Sequence, residues 1–506
     1  MQITSFSRLA RALATVITVA LAAGCSTGPA YVRPSVDVPD HFKEAGRLAP
    51  GWTPAQPADA QARGPWWQLF GDATLDGFEA RVDTGNQDIA KAVAALQQAK
   101  AEAGVARSAY YPTVTAGIAA DRNHTSQNVV GRSLAGKTVS DYSAGLDVSW
   151  EPDLFGRIGH QVDAAQARYQ ASDADLASVR LAMHAELALD YVDVRNADAE
   201  AALLQQTVED YRHARDLVQV RVRGGIASQS DLAEADTQLQ VAQAQWVDLG
   251  ESRAHYEHAI ATLVGVPPAE LDLPPSVAPM ALPGVPAGIP SALLQRRPDI
   301  AASERRVAAA NADVGEATSA FFPDLILSAS GGFEASSFAQ WASLPSRFWA
   351  IGPALVGTIF DGGRRKHQLQ AAQAKEDAAA ADYRQTVLTA FQDVEDNLSS
   401  LRVLSDEARV QQRAVDASHQ AEVLAMTRYK AGATDYLEVV TTQGTSLAQR
   451  RAYDDLTRRQ LESSIRLIKG LGGGWQGGDA HATEEAARGM NDTKDQRVPT
   501  RQAAPG

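Results

Sequence analysis

Apolar positions recur in steps of three and four along one stretch of this chain: Leu176, Val179, Met183, Leu187, Tyr191, Val194, then Leu204, Val208, Tyr211, Val218 and Val222. That spacing is one stripe of an α-helix, sustained over many turns. The stretch around it, His160 to Arg223, contains no Gly or Pro, and neither does Arg364 to Ala431. Both are rich in Ala, Gln, Leu, Arg and Glu, so propensity agrees with periodicity. At 1.5 Å per residue each predicts a rod of about 100 Å. Leu181, Ala188, Val192 and Leu203 lie off the stripe, which implies neighbours on more than one side.

A second rhythm has period two. Tyr142, Ala144, Leu146, Val148 and Trp150 alternate with Ser143, Gly145, Asp147 and Ser149, and Val114, Ala116, Ile118 and Ala120 alternate with Thr113, Thr115 and Gly117. Leu325 to Phe333 and Trp349 to Phe360 repeat this less regularly, with Pro353 interrupting. These four segments are predicted strands of about ten residues, the length at which a tilted strand crosses a bilayer. The residue before a proline is pushed out of the α region, so Tyr110-Tyr111-Pro112 and Phe321-Phe322-Pro323 mark helix-to-strand transitions. The loops Asp121 to Asp141 and Glu334 to Arg347 would face the far side.

Residues 86–265 and 297–472 are two diverged copies of one pattern. Asp88-Ile89-Ala90 matches Asp299-Ile300-Ala301 and Tyr110-Tyr111-Pro112 matches Phe321-Phe322-Pro323, both shifted by 211; Gly156-Arg157 matches Gly363-Arg364 and Arg221-x-Arg223-x-Gly225 matches Arg428-x-Lys430-x-Gly432, shifted by 207. Shorter helices flank the rods: Asn86 to Tyr111, Ser228 to Val264, Pro298 to Phe322 and Thr434 to Lys469. Paired by length, Ser228–Val264 with Pro298–Phe322 and Thr434–Lys469 with Asn86–Tyr111, they build two composite columns as long as the rods. The Pro-rich segment 266–296 would girdle one joint. The expected fold class is mainly α with a membrane β-barrel. Four strands cannot close a barrel, and an open edge in lipid leaves backbone groups unpaired, so the chain must oligomerise. Two chains would give eight strands with an interior filled by side chains, whereas three would give twelve and leave a lumen, the choice that a pore requires.

Composition narrows the function. The chain has 506 residues and a net charge of −14, with no basic aromatic patch, which argues against nucleic acid. Residues 1–24 carry Arg8, Arg11 and an apolar core ending in Ala22-Ala23-Gly24, a secretory signal peptide. Cys25 is the chain's one cysteine, so no internal disulfide forms; its place just after the apolar core is that of a bacterial lipoprotein cleavage site. Ala22 stands where such sites usually have Leu. Residues 25–85 are expected to be a lipidated, extended N-terminal segment, and 473–506 a disordered tail. No enzyme motif, phosphate-binding loop or cysteine pair occurs. His255 and His258 sit three apart near Glu251 and Glu257, but read as a polar helix face, so no cofactor and no metal are expected. A periplasmic coiled-coil adaptor or scaffold without a pore is the rival architecture; it leaves the four alternating segments without a purpose.

The motifs GPAYVRP at 28–34, WWQLFGD at 66–72, SWEPDLFGR at 149–157, PSALLQRRPDIAASERR at 290–306, FDGGRR at 360–365 and YKAGATDYLEV at 429–439 resemble the outer membrane efflux proteins of the TolC type, in their NodT-like lipoprotein branch. The resemblance implies a homotrimer, lipid-anchored in the outer membrane of a Gram-negative bacterium. A twelve-stranded barrel would continue into a twelve-helix periplasmic tunnel, opened by a periplasmic adaptor protein coupled to an inner-membrane pump. It places adaptor contacts at the hairpin tips, at Gly225, Ile226, Ser228, Asp231 and Leu232 in the first copy and Gly432, Ala433, Thr434 and Leu437 in the second. Arg221, Arg428, Asp435 and Tyr436 become candidates for the closed gate, the arginines by pairing across chains. The local chemistry also predicts a left-handed Gly225 and Gly432, with Ser228 and Thr434 capping the helices that follow.

Overall fold

The computed structural model describes residues 27–44, 65–128, 133–284 and 296–473. The expected signal peptide, Cys25, residues 285–295 of the expected girdle and the tail from 474 onward lie outside them. The elements run α1 (Ala73–Gly85), α2 (Gln87–Ser108), β1 (Thr113–His124), β2 (Thr138–Trp150), α3 (Arg157–Arg223), α4 (Gln229–Leu263), α5 (Pro298–Ser319), β3 (Asp324–Ala335), β4 (Arg347–Val356), α6 (Arg364–Lys430) and α7 (Tyr436–Gly470). The chain divides into two compact units, one of residues 1–35, 95–173 and 302–384, the other of 36–94, 174–301 and 385–506.

The first unit holds a single antiparallel sheet in the order β1-β2-β3-β4. Its register sorts the side chains. Val114, Val148, Ala329 and Ile351 stand opposite one another in successive strands, as do Ala116, Leu146, Gly331 and Trp349; Thr115, Asp147, Ser330 and Ala350 share the other face. Period two therefore builds one apolar and one polar, small-residue face. Nothing among the described residues covers the apolar face: Ile118 is 80%, Trp349 79% and Ile351 76% exposed. β1 and β4 each have one neighbour, so two strand edges are open within the chain. Pro353 is accommodated on β4, such an edge, opposite Leu327. Where strands meet helices, the Trp150 indole donates to Tyr110 O (2.9 Å) and Phe155 stacks on Phe322 at 4.9 Å.

In the second unit the termini of the short helices meet. Asn86 caps α2, its Oδ1 accepting from Asp88 N and Ile89 N, while its Nδ2 donates to Leu263 O at the end of α4 (3.0 Å). The backbones touch there: a Cβ on Gly265 would lie 2.0 Å from Gly85 O. The end of α7 likewise meets the start of α5, with Arg297 donating to Gly470 O (3.2 Å) and pairing with Asp299 (2.6 Å). This corrects the expected pairing of columns: α4 joins α2 and α7 joins α5, each within its own copy. A second correction concerns residues 25–85. Residues 27–35 carry neither helix nor strand, but Ala73–Gly85 is a helix, because Asp72 caps it and Leu75, Phe78 and Val82 place one apolar stripe against the core. The described part of the girdle crosses α3 and α4 and is pinned by two arginines. Arg195 donates to Ser276 O (3.1 Å) and to Ala278 O; Arg253 binds Asp198 (2.7 Å) and Leu273 O.

Candidate functional site at the helical tip

Two turns end the long helices, and both are built alike. Gly225 (φ +70°) and Gly432 (φ +73°) take the left-handed conformation expected of them. Around each, backbone bonds close the same motif: Ile226 N to Arg221 O (2.8 Å) with Gly225 N to Val222 O (3.0 Å), and Ala433 N to Arg428 O (2.9 Å) with Gly432 N to Tyr429 O (3.0 Å). This double bond consumes carbonyls that a helix end leaves orphaned.

The helices that return are capped differently. In the first copy Ser228 and Asp231 form a reciprocal capping box, Asp231 N to Ser228 Oγ (3.1 Å) and Ser228 N to Asp231 Oδ2 (3.0 Å). In the second copy the cap is Asp435, which accepts from Glu438 N (3.2 Å), and not Thr434 as expected; the Thr434 hydroxyl donates to the Glu438 carboxylate instead. Ser228 and Asp435 each stand three residues beyond their left-handed glycine, so the cap keeps its place in both turns and only the residue that fills it changes.

The four helix ends are tied together by an apolar cluster of Val218, Ala235, Ala425, Tyr429, Tyr436 and Val439, with Leu232 packed beside it. Tyr436 is buried at its centre, edge-on to Tyr429 at 5.3 Å, and burial pushes its phenol well above the ordinary value. Arg221 closes the cluster. Its guanidinium lies 4.6 Å from the Tyr429 ring centroid and donates to Tyr429 O (2.9 Å) and Lys430 O (3.3 Å), the last carbonyls of α6. A cation from the first copy thus caps the negative end of the second copy's long helix. Arg428, at the matching place in the second copy, pairs instead with Glu438 at 2.7 Å. Both arginines are engaged within one chain.

The structure therefore brings Arg221, Tyr436 and Leu232 into one assembly and leaves Ile226 and Leu437 on its surface, 70% and 58% exposed. Sequence reasoning missed two members. Tyr429 gave no signal beyond its place before the glycine turn. Glu438 did give one, since an acidic residue three beyond a cap is the capping-box position.

The model of the family described as outer membrane efflux protein matches the chain twice, at residues 81–266 and 289–473. The chain is 30% identical to the probable efflux pump outer membrane protein TtgC of Pseudomonas putida, over 94% of this chain and 98% of that one. It is 32% identical to the pyoverdine export outer membrane protein OpmQ of Pseudomonas aeruginosa, over 90% and 95%. Among solved structures, the outer-membrane channel OprN superposes with a TM-score of 0.82 at 31% identity, covering 89% of this chain and all of that one. These matches, spanning both sheet and tip, show that the chain belongs to the outer membrane efflux protein family.

Proposed function

We propose that this protein is the outer-membrane exit duct of a tripartite efflux system, passing small molecules outward when a periplasmic adaptor, coupled to an inner-membrane pump, opens its tip. The observation that carries the reading is the sheet: one face apolar and uncovered across all four strands, with an unpaired strand at either edge. Lipid is the solvent that suits such a face, and copies of the same chain are the partners that complete its edges. Three copies close a twelve-stranded barrel whose polar face lines a lumen, and their long and short helices make a twelve-helix tunnel. No helix among the described residues is long and apolar enough to cross a membrane. Lipidation of Cys25 adds an anchor.

The tip is the gate. Exposed Ile226 and Leu437, beside the glycine turns and Ala433, suit contact with adaptor hairpins, and the Arg221, Tyr429 and Tyr436 cluster holds the hairpins of the two copies together when closed. Adaptor binding opens the tip only to the extent that it favours the splayed state over the closed one. Cargo is chosen by the pump.

The test is reconstitution. The purified protein runs as a heat-modifiable trimer, sediments with outer membranes and gives discrete current steps in planar bilayers. A monomer that stays in the periplasmic fraction and conducts nothing would falsify the proposal.

A further inference from the structure

The register that separates the two faces of the sheet also fixes what shares the polar one. Gly117, Gly145 and Gly332 stand opposite one another in β1, β2 and β3, and Phe348 of β4 completes the row. Phe348 is the one aromatic residue on that face of the four strands. With no side chain on Gly332 beneath it, the ring reaches across to β2: a Cβ placed on Gly145 would lie 3.3 Å from Phe348 Cζ. Beside it, at the end of the sheet where the β3–β4 connection folds over, is a cavity of about 480 Å³. Phe348, Val139, Asp141 and Glu334 line its wall, with Pro345 and Ser346 from the connection. Arg347 also borders it, its Nε donating to Leu344 O at 3.3 Å. Neither Asp141 nor Glu334 is neutralised by an ion pair among the described residues.

An aromatic face beside two unpaired carboxylates is the chemistry that holds an organic cation: the ring quadrupole and the carboxylates attract the charge, while the apolar wall takes the substituent. We propose that this cavity is an exit site for amphipathic organic cations, one per chain, on the lumen wall near the outer mouth. The proposal rests on the reading that the polar face lines the lumen. A site in a conduit must be favourable enough to enter and weak enough to leave, and a single ring with two solvated carboxylates meets both conditions.

The probe is benzyltrimethylammonium, with phenylmethanesulfonate, of similar shape and opposite charge, as its control. Ligand-observed NMR titration of the detergent-solubilised protein should show saturable binding of the cation and none of the anion. Phe348→Ala should weaken it about ten-fold, the loss of a partly desolvated cation–π contact, and Phe348→Tyr should restore it. Glu334→Gln and Asp141→Asn should each weaken it several-fold. Equal binding of cation and anion by the unaltered protein overturns the proposal without recourse to any variant, and so does unchanged affinity in Phe348→Ala with its heat-resistant assembly intact. Conductance separates the two readings. Cation binding that obeys these rules in a protein that never conducts leaves the site standing and the duct fallen, whereas a conducting protein indifferent to the cation does the reverse.

Discussion

Arg221 should hold the tip shut, and Arg428, its counterpart in the second copy, should not. Replacing Arg221 by Ala removes a charge-assisted bond to Tyr429 O at 2.9 Å, a longer one to Lys430 O at 3.3 Å, and a cation–π contact at 4.6 Å. A hydrogen bond to a charged group contributes about 1.5–3 kcal/mol, and a partly exposed cation–π contact about 0.5–1 kcal/mol. Because the guanidinium is only half-buried, the lower ends apply; the longer bond to Lys430 O is exposed and is left out, so the 2.9 Å bond and the ring contact together give about 2 kcal/mol per chain. All of it lies between copies, so all of it is lost when the hairpins separate; 2 kcal/mol corresponds to about thirty-fold in an equilibrium constant. Arg428→Ala removes an exposed ion pair to Glu438 inside a single hairpin. Such a pair contributes about 0.5 kcal/mol, and none of it changes when whole hairpins move apart. Single-channel recording in planar bilayers should therefore show mean closed times shortened about thirty-fold in Arg221→Ala, intermediate in Arg221→Lys, and near wild type in Arg428→Ala. Closed times in Arg221→Ala within two-fold of wild type, with trimers intact, would refute the assignment. Equal effects of the two alanine variants would refute the asymmetry.

Three other outcomes follow from the geometry. Gly332→Ala places a Cβ 2.0 Å from Ala144 O, forcing β2 and β3 apart, whereas Gly352→Ala enters open space; heat-modifiability on gels should be lost in the first and kept in the second. Arg253→Ala strands Asp198, whose side chain is only 2% exposed. Breaking a buried pair costs about 3–5 kcal/mol, and limited proteolysis should cut the 271–281 segment much faster in that variant. Burial pushes the Glu79 carboxyl up to about 7 from its ordinary 4.5, against the lowering pull of His184 and with Asp83 and Asp76 reinforcing it. The folded state therefore keeps a proton that the unfolded chain releases. The stabilisation is complete below pH 4.5 and is lost as pH rises through about 7. Melting temperatures of wild type and Glu79→Gln should diverge across that window, and parallel curves would contradict the assignment.

What the sequence concealed has a physical pattern. Periods of 3.6 and 2 reach only a few residues along the chain, and they placed every rod and strand to within a few residues of its observed ends. The partners of the short helices are another matter. α2 and α5 are each 22 residues long, α4 and α7 each 35, so either pairing yields equal columns. The equality that revealed four columns hid which halves share one, and only contacts such as Asn86 to Leu263 O decide it. Helix α1 was obscured differently, by the Pro-rich composition before it, although Asp72 and the Leu75, Phe78, Val82 spacing were present to be read. At the tip, a base in a last helical turn is expected to serve its own helix. Arg221 serves a carbonyl 208 residues away. Of the two arginines at matching places, Arg428 bonds within its own hairpin while Arg221 bonds across to the other, so the same residue type at the same position does local work in one turn and joins the two hairpins in the other.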